Sequence, residues 1–247
     1  KSETSTIKVE GGAQTTNFEI FASDYEANKH YFLAQYFYDS YDFALANMPL
    51  ISSSVSITNL EVWVTNKTGN TSNVRNILAF QDLGENLNQV YNQDLGESSE
   101  PINVPNPDNR NNNLFPTDLV ASSASIREVS QITSLLNGSG FVQSVDYEKI
   151  ENAKKLSSSE FSYNSQLGFI SLNQSLNSDE VLGVSFQYTI GGTPYQVGEF
   201  STDVAAPDVL ILKLLRSTTL NVSLPMWRLM MKNVYALGAY QVNEEDF

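Results

Sequence analysis

The sequence contains no cysteine and only one histidine, His30, in 247 residues. The absence of cysteine excludes disulfide bonds, thiol nucleophiles and cysteine-ligated zinc. With a single histidine, histidine-based zinc sites also lose their usual ligands. A Ser-His-Asp triad is compatible with the composition, but no Gly-x-Ser-x-Gly motif supports one. We therefore expect a structural or surface role for His30, and the sequence identifies no catalytic residue.

Positive charge is scarce, with 14 Lys and Arg against 28 Asp and Glu, a formal net charge of -14. Such a chain repels nucleic acid and anionic membrane surfaces. The excess acid favours a soluble monomer, with calcium or a basic partner surface as alternatives. The longest apolar stretch, residues 209–215, is interrupted by Lys213 and falls short of the ~20 residues of a membrane helix. Neither GxGxxG nor GxxxxGK[ST] occurs, so no nucleotide cofactor is expected.

Acidic side chains offer few candidates for chemistry. Paired carboxylates could hydrolyse glycosides, and Glu199 with Asp203 or Glu61 with Asp82 are the pairs to consider. Because acidic residues are common in this chain, accidental pairs are expected. An enzyme therefore ranks last among the functional hypotheses.

Calcium could be bound by oxygen ligands around Asn106, Asp108 and Asn109. Their spacing is not that of an EF-hand, so the sequence favours a solvated loop and predicts no metal site. Five N-glycosylation sequons are expected by chance in a chain rich in Asn, Ser and Thr. They begin at Asn66, Asn70, Asn137, Asn173 and Asn221.

The first half of the chain predicts an extended segment over 7–21, a helix from Ser23, and a β-hairpin of strands 55–64 and 74–80. Ser23 and Glu26 have capping-box spacing, and Pro49 would end the helix. Its aromatic face is predicted to be buried against a sheet, with an exposed partner-binding face as the alternative. A change of apolar parity between Ile57 and Leu60 predicts a bulge. The aromatic face consists of Phe32, Leu33, Tyr36, Phe37 and Phe43.

The second half predicts alternating helices and hairpins. A helix should begin at Ser123 or Ser125 and end at Gly138, and a shorter helical stretch is predicted at 147–156. Strands are predicted at 161–163, 169–172, 181–190, 195–200 and 209–215, because apolar residues alternate there. Gly191 and Gly192 form the turn of a hairpin. A last helix is predicted over 225–238.

These elements indicate an α+β fold of antiparallel hairpins and sheets with several packed helices. Residues 84–116, rich in Asn and Pro, are typical of a loop or linker. The predicted organisation is a helix-plus-hairpin lobe at 1–83, that linker, and an α+β lobe at 117–247. The two lobes could equally form one continuous domain.

Five sequence blocks resemble the SprA/Sov family of gliding-motility and secretion proteins of Bacteroidota. They are spread along nearly the whole chain, and the Asn-rich middle matches least. The blocks are residues 8–16 (KVEGGAQTT), 24–37 (DYEANKHYFLAQYF), 61–66 (EVWVTN), 195–201 (YQVGEFS) and 225–240, with Trp227, KNVY at 232–235 and QVN at 241–243 around its core.

The resemblance implies a soluble insertion of a larger β-barrel protein, the outer-membrane translocon of the type 9 secretion system. Its expected role is non-catalytic: framing or gating the path of secreted cargo and contacting accessory subunits. Its expected partners are the rest of the parent chain, those subunits and the cargo. A cap on the extracellular face is favoured over a periplasmic segment. No catalytic, cofactor-binding or metal-binding residue follows from the resemblance, and the interface residues stay unidentified.

The alternative function is a surface module that binds a ligand such as a glycan. In that hypothesis, alternating aromatic residues such as Tyr188 and Tyr195 face the ligand. Exposed aromatic rings lining a groove would support it, whereas a buried set would count against it.

Overall fold

A computed structural model describes residue 21 and residues 23–69, 71–87, 106–115 and 124–236. The extended segment predicted at 7–21, apart from Phe21, and the predicted helix terminator Gly238 lie outside these residues. Everything stated below about the structure refers to the described part of the chain.

The larger sheet contains six strands: β2 (Val55–Val64), β3 (Val74–Phe80), β4 (Tyr147–Lys155), β7 (Leu182–Ile190), β8 (Thr193–Val197) and β9 (Leu210–Arg216). Five of them close into a small barrel, because β2 pairs with β4 on one side and with β7 on the other. Around the barrel the order is β2, β4, β3, β9, β7, and β8 extends the sheet from β7. All of these pairs are antiparallel except β3 with β9.

A second sheet of three antiparallel strands packs beside the barrel, in the order β1 (His30–Phe32), β6 (Phe169–Leu172), β5 (Phe161–Asn164). Helices are few and short. They are α1 (Gln35–Leu45), α2 (Ile132–Gly138) and α3 (Met226–Leu229), with a 3-10 turn at Ala124–Arg127.

The alternation of side chains along the strands produces two buried clusters. One contains Trp63, Ile77, Ala79, Ile150 and Leu212, which come from four different barrel strands. Gly183 of β7 approaches Ile77, Ala79 and Leu212, so this cluster fills the interior of the barrel. The larger cluster covers the outside of the barrel, where α1, α2 and the three-stranded sheet pack.

Most strand predictions are confirmed. The strands at 55–64, 74–80, 161–163, 169–172, 181–190 and 209–215 are present with small changes at their ends, and β7 and β8 form the hairpin expected around Gly191 and Gly192. A register shift between Ile57 and Asn59 confirms the predicted bulge. Trp63 lies in the interior cluster whereas Val62 and Val64 lie in the outer one, as the alternation indicates.

Three helix predictions are wrong. Residues 147–155 form β4, which pairs with β3 along most of its length and with β2 at its end. Tyr147 lies in the outer cluster, whereas Ile150 and Ala153 lie in the interior one. No helix begins at Ser23; the chain instead pairs as β1, and the helix starts twelve residues later at Gln35. The last helix is a single turn, because the chain is extended from Met230 onward.

Two further differences concern pairing and helix length. β2 and β3 are strands but do not form a hairpin with each other, since β4 lies between them. The helix expected from Ser123 or Ser125 is interrupted: the 3-10 turn precedes it, and α2 begins only at Ile132, although it ends at Gly138 as predicted.

The predicted α+β class is therefore corrected to a mainly β fold. The antiparallel sheets and the β5–β6 and β7–β8 hairpins are confirmed, but the hairpin of β2 with β3 and the several packed helices are not. Short amphipathic stretches with period 3.6 do not become helices when a neighbouring strand supplies the hydrogen bonds first. The division into lobes at 1–83, 84–116 and 117–247 stays a prediction.

Candidate interaction surface

Three large and strongly exposed apolar side chains lie at the end of α1 and just after it. Phe43, Met48 and Leu50 are 75%, 66% and 69% exposed. The Ser52 N–H donates to the carbonyl of Ala44 at 2.8 Å, which folds the segment after the helix back onto its last turn. We call Phe43, Met48 and Leu50 the α1 tip. Because exposed apolar side chains that lie together often mark contact surfaces, the α1 tip is a candidate contact surface.

The other side of α1 is held against the barrel by aromatic packing. Phe37 is 1% exposed, and its ring lies 5.6 Å from the ring of Tyr188 and 6.0 Å from that of Phe186, both edge-on. Tyr41 contacts Phe32 of β1 in the same way, at 5.2 Å. Edge-on aromatic pairs contribute about 0.5–1.5 kcal/mol each beyond the burial of their surface. The helix is therefore fixed while its tip stays exposed.

The start of α1 is held by a buried ionic network. Ala34 at the N-cap supplies no side-chain hydrogen bond. Instead, the Glu85 carboxylate accepts the N–H of Gln35 at 2.5 Å, and its second oxygen pairs with Lys213 of β9. Gln35 Nε2 donates to the carbonyl of Pro225 at 2.7 Å. A carboxylate at a helix N-terminus also interacts favourably with the helix dipole, so Glu85 couples α1 to the barrel wall.

The surroundings of the tip are acidic. Asp39 and Asp42 lie on α1 itself, and one basic side chain approaches the helix: Arg228 Nη2 donates to Asp39 at 2.7 Å and lies 4.3 Å from the ring centre of Tyr38. This arrangement suits a partner surface that is apolar and neutral or basic.

The four carboxylates considered for hydrolysis each have a structural partner. Glu61 accepts from Lys155 Nζ at 2.6 Å and from the Ser201 N–H and hydroxyl at 2.9 and 2.7 Å. Asp82 accepts the N–H of Leu87 at 2.8 Å.

The other candidate pair is also engaged in the fold. The two carboxylate oxygens of Glu199 accept hydrogen bonds from Nη1 and Nη2 of Arg127, both at 2.6 Å. These hydrogen bonds raise the pKa of Arg127. Asp203 accepts the N–H of Phe200 at 3.1 Å. All four carboxylates thus tie barrel strands and turns together.

The segment proposed for calcium is packed rather than solvated, contrary to expectation. Asp108, Asn109, Asn111 and Asn112 are buried, and the asparagine amides donate to backbone carbonyls of Gly198, Gly84 and Asp82. Asp108 accepts from Arg110 Nε at 2.7 Å. Within the described residues, no group of three or more acidic or histidine side chains could hold a metal ion. In this segment the asparagine amides, rather than the backbone N–H groups of a helix or strand, donate hydrogen bonds to these carbonyls.

The remaining candidates are His30 and the tyrosine pair. His30 lies on β1, not on a helix, and its ring nitrogens contact Ser171 Oγ at 2.8 Å and Glu26 Oε2 at 3.1 Å, which is a structural role. Tyr188 is fully buried and donates to the carbonyl of Pro107 at 2.8 Å. Tyr195 stacks on it, with 5.2 Å between the ring centres. The two rings therefore do not face a common ligand, which counts against the glycan hypothesis.

Sequence reasoning missed the tip because it placed Phe43 on the buried face of the helix. Phe43 is the member of that face that solvent reaches most, at 75%. The signal that could have found the tip is the short apolar run Met48-Pro49-Leu50 directly after the helix. Because the proline cannot continue the helix, these apolar residues fall outside the 3.6-residue periodicity that places side chains on its buried face.

The fold defines a class: a small, mainly β barrel domain with exposed apolar side chains at the end of its longest described helix. The chain belongs to a family of motility-related and secretion proteins, whose family model, SprA_N, matches residues 1–178. No curated protein sequence matches the chain at a significant level. The matched region contains β1 to β6 and α1 with its tip, while β7 and β9, which close the barrel, follow it. Among the described helices, none has the length and apolar character needed to cross a bilayer.

Proposed function

We propose that this chain is a non-catalytic segment of the outer-membrane translocon of the type 9 secretion system, located in a cap on the extracellular face. In this role it frames or gates the path of secreted cargo and contacts accessory subunits. Membership of a secretion and motility family supports the general role. The α1 tip is the surface through which we expect the contact.

The observation that carries the proposal is the combination of exposure and rigidity in α1. The tip exposes three large apolar side chains, whereas the start of the same helix is held by the Glu85–Lys213 pair inside the protein. If the α1 tip contacted only solvent, polar residues at the same positions would be equally compatible with the fold. Apolar side chains on a fixed helix are therefore better explained by a contact. A preorganised apolar surface binds with less loss of conformational entropy.

The test uses a triple variant of the full-length parent protein in which Phe43, Met48 and Leu50 are all changed to Ser. We expect secretion of cargo to fall at least tenfold, with the amount of translocon in the outer membrane unchanged. The matched control is Val222→Ser, which removes an apolar side chain of 69% exposure from a different loop and should leave secretion unaltered. Normal export by the triple variant would remove the tip from the proposed function.

The face of the membrane is tested separately with an epitope tag. The Asn-rich segment 106–113 is not a suitable place for the tag. Asn111 and Asn112 within it are buried, and their side chains donate hydrogen bonds to backbone carbonyls. The exposed hairpin turn at Gly191 and Gly192 leaves open space, with no atom within 4 Å of a Cβ added at either glycine, and should accept an insertion. Labelling of intact cells supports the cap, whereas labelling only after the outer membrane is opened places the segment in the periplasm.

A further inference from the structure

A cleft lies where the barrel meets the three-stranded sheet. Its volume is about 340 Å³, within the ~300–1,000 Å³ typical of ligand sites in proteins. The barrel contributes the end of β2 with the turn after it and the end of β4, and the smaller sheet contributes the end of β6 with the loop after it. We call it the junction cleft, with Val64 and Lys154 on the first side and Leu172 and Asn177 on the second.

The floor of the junction cleft is aliphatic. Val64, Leu172 and Leu176 are buried members of the outer core cluster, and Leu156 packs beside them. No aromatic ring is among the described residues that line the cleft, so it lacks the platform on which nucleobases stack. The floor therefore suits an aliphatic group of a ligand.

The charges of the cleft wall balance one another. Two lysines and two glutamates line it. Lys154 Nζ donates to Glu160 at 2.5 Å, and Lys67 pairs with Asp179. An anion entering the cleft would meet Glu160 and Glu180, and a cation would meet the two lysines. Because the lining has no net charge, electrostatic complementarity favours an uncharged ligand.

The rim of the cleft consists of neutral amide and hydroxyl side chains. They are Thr65, Thr68, Ser159, Asn173, Gln174, Ser175 and Asn177. Asn173 Nδ2 donates to the carbonyl of Ser159 at 2.7 Å, which joins the two sides of the rim. Amides and hydroxyls offer both donors and acceptors, and each peptide group of a ligand likewise has one of each. The rim is therefore complementary to a polypeptide backbone.

We propose that the junction cleft binds an uncharged, extended peptide segment of another protein. One aliphatic side chain of that segment lies on the floor, and the peptide groups on either side of it hydrogen-bond to the rim. The aliphatic floor, the balanced charge and the mixed donors and acceptors each match this ligand. The cleft shares no residue with the α1 tip, and the inference does not depend on the proposed role in secretion.

The test titrates the isotope-labelled 247-residue chain with blocked tripeptides that differ only in the central residue, and follows the backbone amide signals by NMR. With leucine at the centre, the signals of residues 173–177 should shift saturably, with a dissociation constant of about 1 mM or tighter. Alanine at the centre should weaken binding about fivefold or more, because it buries less apolar surface. Glutamate or lysine there should weaken binding as well.

Three outcomes would overturn the proposal. They are the absence of saturable shifts up to ~10 mM leucine peptide, equal affinity for the leucine and the charged peptides, and tighter binding of a neutral disaccharide, maltose, than of any peptide. The last outcome would identify the cleft as a sugar site instead.

Two variants localise the binding. Ser175→Trp and Thr68→Trp each place a large ring on the rim at an exposed position, from opposite sides of the cleft. Loss of the saturable shifts in either variant supports the proposal, and unchanged binding in both would overturn it. Ser134→Trp is the matched control, because Ser134 is also exposed but lies on α2 and does not line the cleft. It should bind the leucine peptide as the wild type does.

Discussion

Lys213, a fully buried residue in the middle of β9, forms an ion pair with Glu85, and Glu85 in turn accepts the first N–H of α1. One carboxylate thus satisfies a buried ammonium group and a helix N-terminus at the same time. The ammonium group also donates to the carbonyl of Gln81. Because the two partners are separated by 128 residues in sequence, this pair connects the part of the chain that carries α1 with the strand that closes the barrel.

The first prediction concerns the stability that depends on this pair. Lys213→Met should destabilise the fold by about 3–5 kcal/mol, because it leaves the Glu85 carboxylate buried without a cation. The double variant Lys213→Met with Glu85→Gln should recover part of the loss. Urea unfolding measures both. The control is Lys67→Met, which breaks an ion pair at the surface and should hardly move the midpoint; an equally small effect at Lys213 would contradict the prediction.

The second prediction concerns Arg127, which donates to both oxygens of Glu199 at 2.6 Å and to the carbonyl of Val209 at 2.8 Å. Lysine keeps the charge but cannot make the planar two-point contact. Arg127→Lys should therefore lower the free energy of unfolding by about 1.5–3 kcal/mol. Since Glu199 also accepts the N–H of Ile211, hydrogen exchange at Ile211 should accelerate in the same variant. A variant with wild-type stability would show that charge alone suffices there.

The third prediction separates steric crowding from backbone strain at two glycines. Gly168 has φ +64°, and a Cβ there would lie 2.3 Å from the ring of the buried Phe37. Gly191 has φ +56°, with no atom within 4 Å of the same position. Alanine at Gly191 should lose about 1 kcal/mol through the unfavourable φ alone. Alanine at Gly168 should lose a further ~1–3 kcal/mol or more through overpacking.

Urea unfolding of the two variants gives that difference directly. Equal losses would mean that Phe37 moves away without penalty. Because Phe37 lies on the buried side of α1 among other aromatic rings, the Gly168→Ala variant should also change the near-ultraviolet circular dichroism, whereas Gly191→Ala should not.

The fourth prediction concerns acid stability. The pKa of Glu160 is held below its ordinary value of 4.5 by two hydrogen bonds. The larger effect comes from the bond that Lys154 donates, and the next from the N–H of Ser157. A group whose pKa is lower in the folded state stabilises the fold above its unfolded pKa, and this contribution is lost as the pH falls through the folded pKa. Glu160→Gln should therefore weaken the fold slightly at about pH 6 and flatten the fall in stability below about pH 4.5. The effect is small because the Glu160 side chain is 37% exposed, and solvent weakens an exposed ion pair.

Urea midpoints between about pH 3 and pH 6 measure this contribution in both proteins. Parallel curves for the wild type and Glu160→Gln would show that the Lys154–Glu160 pair does not contribute to the acid dependence.

Sequence reasoning was most accurate for residues that alternate along a strand. In β7 the apolar alternation from Leu182 to Ile190 predicted the strand, and the two glycines after it predicted the hairpin. Local chemistry was sufficient there because both faces of the strand and its turn are specified within about fifteen residues. The same local rules failed for residues 147–155, where three apolar residues at helical spacing belong to β4.

The candidate surface could be predicted only in part. The sequence placed Phe37 and Phe43 on one aromatic face, yet Phe37 is buried and Phe43 is the exposed end of the tip. Six residues apart on a helix, the two side chains point about 120° away from each other. Which of them contacts the barrel is set by the packing of Phe37 on Phe186 and Tyr188, from a distant part of the chain. No local pattern contains this information.

By itself, the sequence determined most of the strands, the Gly191-Gly192 hairpin turn, the family resemblance and the exclusion of cysteine chemistry. These follow from residue type and short-range periodicity, which act within one element. The tertiary structure alone decided that β4 lies between β2 and β3, that five strands close into a barrel, and that the buried charges pair as they do. Strand order and ion pairing depend on which segments bury each other's surfaces, and those contacts join residues far apart in the sequence.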